Sequence, residues 1–426
     1  MKPKIPRLLV ATLLALAVTF SVSAQDTKKK KGGGGKSSTK APGTANKGEI
    51  TGGLPADAQQ LKLGDSAPDF KLLGIDGKTH TIADYKASKL LMVVFLSNHC
   101  PYSHASETRL IPLAKEFISK GLDVVAINPN SPDSVRIDEL GYSKYNDSYD
   151  EMKLYAKEAG FPFPYLYDGD TQATAKAYGC LATPHVFIFD QQRKLRYVGR
   201  VDDSRFEDLA SVTTHDARNA VVELLAGKPV TTPSTIVMGC STKWNTKRDD
   251  VAKADEKWKA EPVDLVTVDA AGVAQLAKND SNRLRLVNVW ATWCAPCVAE
   301  FPALVSLARR LSNREFELVT ISMDDPKMLP QAKKFLENQH AVPSARLKRL
   351  LTAEGRTATN FLYTGASSDA LVQALDPQWP GPLPHTVLIA PGGKILWRHN
   401  GAVDAEELKA EVLKHLGAFY TPDEKR

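Results

Sequence analysis

Val287-Asn288-Val289-Trp290-Ala291-Thr292-Trp293-Cys294-Ala295-Pro296-Cys297 is the stretch on which the reading of this 426-residue chain turns. Its first half, begun at Leu286, is a β-branched and aromatic run of the kind that forms a short strand buried on both faces. Beyond Cys297, residues Phe301, Leu304, Val305, Ala308 and Leu311 recur at the spacing of one helical face, and Pro302 is expected to bend that helix. The two cysteines therefore fall where a buried strand ends and a helix begins. A thiolate there meets the positive end of the helix dipole and free backbone donors, which lower its pKa. Two intervening residues leave the second thiol within reach of a mixed disulfide on the first, the basis of a dithiol exchange centre. Half of a zinc site is the other reading of such a pair. It would need a second Cys or His pair nearby, and none has suitable spacing, so no metal and no bound cofactor is expected.

The same order of elements occurs earlier, around Cys100. Leu91-Met92-Val93-Val94-Phe95 precedes that cysteine, and Leu110, Leu113 and Phe117 mark the inward face of the helix after it. Further apolar strands, Leu122 to Ile127 and Phe316 to Ile321, begin 22 residues after each cysteine. Thr183-Pro184 and Leu383-Pro384 then lead into apolar strands, Val186 to Phe189 and Thr386 to Ile389. Pro391-Gly392-Gly393-Lys394 signals a closing hairpin. Strand, helix, strand, crossover and hairpin, twice over, predict an α/β chain of two tandem domains, each a central mixed sheet flanked by helices.

The ends of the chain differ in kind from its body. Lys2, Lys4 and Arg7, then an apolar run from Leu8 to Phe20, then Val22-Ser23-Ala24 have the order of a cleaved export signal over residues 1–24. An uncleaved membrane anchor is the alternative, because the apolar run approaches spanning length. Residues 25–58, with Lys28 to Lys31 and Gly32 to Gly35, have the composition of a disordered tether. Residues 1–50 hold 10 Lys+Arg against 2 Asp+Glu, leaving 45 against 47 in the rest. The basic balance thus belongs to the tail, and the folded part offers no nucleic-acid surface. Membrane contact is expected only through the signal or the basic tether. The first domain is placed at 59–245, a polar linker at 246–261 and the second domain at 262–426. Five cysteines are too few for a disulfide-stapled scaffold and odd in number, which suggests working thiols.

The Cys294 stretch, followed by Glu300 and Pro302, resembles the thioredoxin superfamily and most closely its exported TlpA/ResA-like thiol–disulfide oxidoreductases. The resemblance implies that Cys294 is the attacking thiolate and Cys297 the resolving thiol. It implies also that Pro384 is a cis-proline beside them, with Trp293 and Leu383 bordering the groove where a partner's extended segment docks. Asn288 stands where cytoplasmic thioredoxins carry a buried aspartate, so the proton of the second thiol needs another group. Glu300 is one candidate by position, and an exposed helix carboxylate is the alternative reading of that residue. The long stretch from Pro326 to Pro382, with Trp379-Pro380-Gly381, is of the kind that shapes partner specificity.

The first domain opens on Gly64-Asp65-Ser66-Ala67-Pro68-Asp69-Phe70, which resembles redoxin and peroxiredoxin-type (AhpC/TSA) domains. Its motif is His99-Cys100-Pro101-Tyr102-Ser103, with serine in place of the second cysteine. Peroxiredoxins carry a proline seven and a threonine three residues before their reactive cysteine, where this chain has Val93 and Ser97. His99 and the helix start both favour a Cys100 thiolate. Cys180, four residues before Pro184, and Cys240 are the two sulfurs able to resolve it; a structural Cys180–Cys240 bridge is the other arrangement. Thr183 and Pro184 border the corresponding groove.

Three functions fit these residues. The first is an exported enzyme exchanging disulfides with protein thiols through Cys294 and Cys297, served by an external electron donor or acceptor. The second is a two-domain thiol peroxidase in which Cys100 reduces peroxide and the second domain recycles it. The third, from another class, is a client-binding redox assembly factor.

Overall fold

The structure, a computed structural model, describes residues 53–417. The export signal and most of the tether lie outside the described residues.

In the first repeat, strand Leu90–Phe95 is buried along its whole length because its alternating side chains enter two separate cores. Met92 and Val94, with Leu96 beyond the strand, pack against Leu110, Leu113 and Phe117 of helix Pro101–Phe117. Leu91, Val93 and Phe95 face the other way, toward Tyr178, Phe187 and Phe189. A buried aliphatic side chain contributes about 1.5–3 kcal/mol. Register is therefore fixed, since a one-residue slip would send every side chain to the wrong core. The sheet has seven strands in the order Thr79–Thr81, Lys71–Gly74, Tyr165–Tyr167, Leu122–Asn128, Leu90–Phe95, His185–Phe189 and Leu195–Gly199. Leu90–Phe95 runs parallel to Leu122–Asn128 and antiparallel to His185–Phe189, so the sheet is mixed.

The second repeat builds the same centre with six strands, ordered Val266–Val268, Asn360–Tyr363, Phe316–Ser322, Leu284–Trp290, His385–Ile389 and Ile395–Asn400. Leu284–Trp290 is parallel to Phe316–Ser322 and antiparallel to His385–Ile389. Leu286 and Trp290 enter the core under helix Ala295–Arg310, and Val287 and Val289 enter the opposite one. By the same alternation Asn288 lies on the helix side, a polar residue where an aliphatic one would be expected. Helix Ala295–Arg310 contains Pro302 within its length. The chain is thus a tandem of thioredoxin-like α/β domains.

Two segments depart from the sequence reading. Within 246–261, expected as a linker, residues Arg248–Lys259 are helical. Asp249 and Asp250 in its first turn and Lys257 and Lys259 in its last complement the helix dipole. Its Trp258 packs on the second core beneath the Arg309 guanidinium. The end of the expected tether is also engaged: Leu54 packs on the first repeat and Asp57 pairs with Lys176 at 2.8 Å.

The repeats meet through helix Ala295–Arg310 and the turn after it. Arg310 Nε donates to the Leu140 carbonyl at 2.7 Å and Arg314 Nη1 to that of Gly141 at 2.9 Å. A Cβ at Gly141 would lie 2.6 Å from the Arg310 carbonyl oxygen, so only glycine permits this approach.

Candidate redox sites

Cys294 caps the second repeat's first long helix in extended backbone conformation, and its sulfur accepts the Cys297 N–H at 3.3 Å. Pro296 sits in the first turn, where a missing N–H costs nothing. Cys294 and Cys297 are joined in a disulfide. Cys297 is fully buried and Cys294 nearly so, whereas Trp293 is 70% exposed beside them. The Leu383–Pro384 peptide is cis, and Leu383 is partly buried. Trp379, from the long insertion, stacks on His385 with ring centres 4.6 Å apart, so the insertion flanks the proline strand.

Beneath this pair lies a short polar chain. Asn288 Nδ2 donates to Glu300 Oε1 at 2.8 Å and to Thr386 Oγ1 at 2.9 Å, and Glu300 Oε2 accepts the Val403 N–H at 2.9 Å. Glu300 is therefore buried, which removes the exposed-carboxylate alternative. Burial pushes its carboxyl above the usual range, and the donors from Val403 and Asn288 offset this only in part. Glu300 is one helical turn from Cys297 on the same face.

In the first repeat Cys100 occupies the same strand-to-helix junction and is fully buried. What buries it is the chain's own later segment. Residues Cys240–Ser241 form a two-residue strand antiparallel to Ala182–Thr183, pairing Thr183 with Cys240. A Cβ on Gly239 would overlap the Thr183 carbonyl, so glycine is required for this approach. Thr183 and the cis-bonded Pro184 thus lie under an intramolecular strand rather than beside an open groove. The Cys100 sulfur lies 3.1 Å from the Thr183 carbonyl oxygen and 2.7 Å from the Cys240 sulfur.

This register corrects the Cys180–Cys240 bridge. Cys180 lies within hydrogen-bond reach of the Ala182 carbonyl and Thr242 Oγ1, at 3.3 and 3.4 Å, while Cys240 is carried over the proline strand to Cys100. Burial pushes the Cys180 thiol up to about 12. Ser97, in the position of the peroxiredoxin threonine, bonds Thr183 Oγ1 at 3.0 Å.

The sequence reading missed the charge behind Cys100. Asp147, fully buried, accepts the Asn98 N–H at 2.7 Å, Asn130 Nδ2 at 2.8 Å and Asn128 Nδ2 at 3.1 Å, and pairs with His99 Nδ1 at 2.6 Å. Burial opposes both charges, but the mutual attraction wins: Asp147 is held below the carboxylate range and His99 above the imidazole range. Burial likewise opposes a Cys100 thiolate. A donor from Cys240, the His99 charge and backbone N–H groups of Ser103 and Cys240 outweigh it and bring Cys100 down to about 5. Cys240 moves the opposite way, raised by its bond to Cys100, by burial and by the Cys100 charge. The available signal was Asn128-Pro129-Asn130, two amides bracketing a proline just after the apolar run Val124 to Ile127. A polar cleft of roughly 370 Å³ opens over Cys240, lined by His99, Tyr102, Arg136, Glu139, Lys243 and Asn313. Among the described residues no group of His, Cys, Asp and Glu is arranged to hold a metal ion.

Among curated proteins, the thiol-disulfide oxidoreductase ResA of Geobacillus thermodenitrificans is 24% identical over 138 residues, covering 32% of this chain and 69% of its own length. A thiol:disulfide interchange protein DsbE homolog of Paracoccus denitrificans is 30% identical over 133 residues, 31% of this chain and 59% of its own length. Among solved structures, a hypothetical protein of Sinorhizobium meliloti aligns at 36% identity and a TM-score of 0.40, covering 44% of this chain and 97% of that one. The AhpC/TSA family matches residues 63–198 and again 259–398. Matched in both repeats and over more than half its length, the chain belongs to the AhpC/TSA family, a redoxin of the thioredoxin superfamily.

Proposed function

We propose that this redox protein is an exported thiol–disulfide oxidoreductase acting on protein thiols and disulfides through Cys294 and Cys297. One observation carries the reading: a Cys-x-x-Cys pair at a helix N-terminus beside an exposed Trp293 and a proline strand, in which Cys294 keeps a small exposed area and Cys297 has none. In the reduced protein the helix start stabilises the Cys294 thiolate, which attacks a client disulfide. Cys297 then attacks the mixed disulfide, and its proton has Glu300, one turn away, as the nearest acid–base group on its face. Export rests on the basic, apolar, small-residue order of residues 1–24. No helix of the described residues is long and apolar enough to cross a membrane. The test is a redox titration of the full chain by thiol-specific mass labelling. Cys294 and Cys297 should convert together at one potential; if they never pair under oxidising conditions the proposal fails.

A two-domain peroxidase has in its favour the lowered Cys100 thiol and the AhpC/TSA match of the first repeat. Against it stand the burial of that sulfur, Val93 in place of proline, and a Ser97 hydroxyl committed to Thr183. Turnover of hydroperoxide with the second repeat as reductant would establish it, and none is expected.

A further inference from the structure

The first repeat closes its own docking groove. The strand Cys240–Ser241 lies on Ala182–Thr183 in the antiparallel pairing that an incoming extended segment would make, and it carries a cysteine to Cys100. Cys100 has no exposed surface; Cys240 is partly exposed and lines the polar cleft. The two sulfurs need approach by only about 0.7 Å to reach covalent length. We propose that Cys100 and Cys240 are a second redox pair in which Cys240 is the point of entry, exchanging with small charge-bearing thiols and disulfides in the cleft while Cys100 is the buried resolving sulfur. The helix-start cysteine, which faces the client in the second repeat, is here the inner partner.

The electron flow is as follows. Starting from the Cys100–Cys240 disulfide, a thiolate in the cleft attacks the Cys240 sulfur. The Cys100–Cys240 bond breaks and its electron pair leaves on Cys100, while a mixed disulfide forms on Cys240. A second molecule of the thiol attacks the outer sulfur of that mixed disulfide. It departs as the small disulfide, and Cys240 takes up the proton. Two thiols are oxidised and one protein disulfide is reduced; the reverse sequence oxidises the pair at the expense of a small disulfide. Departure from Cys100 is assisted because a better-stabilised thiolate leaves faster. His99 with Asp147, and the Ser103 N–H, supply that stabilisation. The lining of the cleft suits a ligand bearing both charges. Its charges form two ion pairs, Arg136 with Asp138 at 3.0 Å and Lys243 with Glu139 at 2.6 Å, so these four side chains carry no net charge and each pair can exchange a partner for a ligand group of the same sign. Its volume matches a small ligand rather than a protein loop.

The test uses the full chain with Cys294→Ser and Cys297→Ser, which silences the second repeat and makes the outcome independent of the function proposed above. Glutathione, a small thiol bearing both charges, is the probe. The protein is oxidised with glutathione disulfide, challenged briefly with limiting glutathione, quenched in acid and mapped by peptide mass. A Cys100–Cys240 cross-link is expected before the challenge, and a glutathione adduct on Cys240 during it. Adding Cys100→Ser should make the Cys240 adduct stable, whereas with Cys240→Ser the adduct on Cys100 should form at least tenfold more slowly. An adduct first on Cys100, or no Cys100–Cys240 cross-link at any glutathione ratio, overturns the proposal; the mapping without the added substitutions stands even if one of those variants fails to fold.

Discussion

Replacing Asp147 by asparagine tests whether the buried pair sets the chemistry of Cys100. The carboxylate accepts four hydrogen bonds and holds His99 charged, with its ring nitrogen at 2.6 Å. Asparagine keeps the size and one carbonyl acceptor but removes the charge, so His99 loses the reason to stay protonated in a buried site. Loss of a neighbouring cation raises a thiol by about one to two pKa units. From a starting value of about 5, Cys100 would move to about 6–7. At about pH 6 the ionised fraction would fall from roughly nine-tenths to between one-half and one-tenth. The assay is the ultraviolet thiolate titration of the reduced protein in the Cys294→Ser, Cys297→Ser background, with the apparent value assigned to the Cys100–Cys240 pair. Stability should change in a matching way. A thiol depressed on folding contributes stability that is full above its ordinary pKa and lost as pH falls through about 5. His99, raised on folding, contributes below its ordinary pKa and loses that contribution as pH rises through the raised value. In Asp147→Asn the acid-side loss moves to higher pH and the alkaline-side loss disappears. An unchanged titration of the pair in a folded variant would refute the account, because lost stability alone follows from any disturbance of a buried carboxylate.

Asn288→Asp replaces a double donor by a second carboxyl facing Glu300, and should cost about 2–4 kcal/mol at neutral pH. Denaturant melts should show the deficit shrinking in acid, where one of the two carboxyls is protonated. Cys297→Ser should accumulate a mixed disulfide on Cys294 when offered a protein disulfide, and Cys294→Ser should accumulate none; adduct mapping decides. Cys180, pushed up to about 12, should resist maleimide until the protein is unfolded, and Cys180→Ser should leave both redox titrations unchanged.

Much of the fold was legible because its central strands are short apolar runs at repeated offsets from a cysteine and a proline. Alternation along Leu90–Phe95 and Leu284–Trp290 follows directly from burial on both faces. The paired cysteines were legible because their chemistry depends on residues three positions apart. What surrounds Cys100 was not, because it depends on distance in sequence. Asp147 and Cys240 lie 47 and 140 residues beyond it, and the pairing that delivers Cys240 is a strand of two residues with no periodicity to read. Helix Arg248–Lys259 went unread for a different reason. None of its residues is fully buried, so it lacks the apolar face sought, and its end charges were the only signal.

The two repeats place a sulfur at one topological address and surround it differently. Under Cys294 the helix side of the sheet is polar, with Asn288 opposite Thr386 and Glu300 above them; the aligned positions under Cys100 are Val94 opposite Val186, with Ser106 above. The charge lies instead on the flank of Cys100, in His99 and Asp147. The residue before the cysteine reports the same contrast, since Trp293 is 70% exposed and His99 2%. The contrast in exposure goes with the segment over the first repeat, whose Cys240 covers Cys100, and burial of His99 strengthens its pairing with Asp147. Gly239→Ala tests that dependence without touching a sulfur or a charge. Its Cβ would overlap the Thr183 carbonyl, so the strand must lift from Ala182–Thr183. Cys100 should then react with a small alkylating agent at least tenfold faster, and the pair's thiolate titration should shift upward as Cys240 withdraws its hydrogen bond and water screens His99. If alkylation and titration both stay as they are in a folded Gly239→Ala protein, the covering strand does not control this sulfur, and the difference between the repeats must arise from His99 and Asp147 alone.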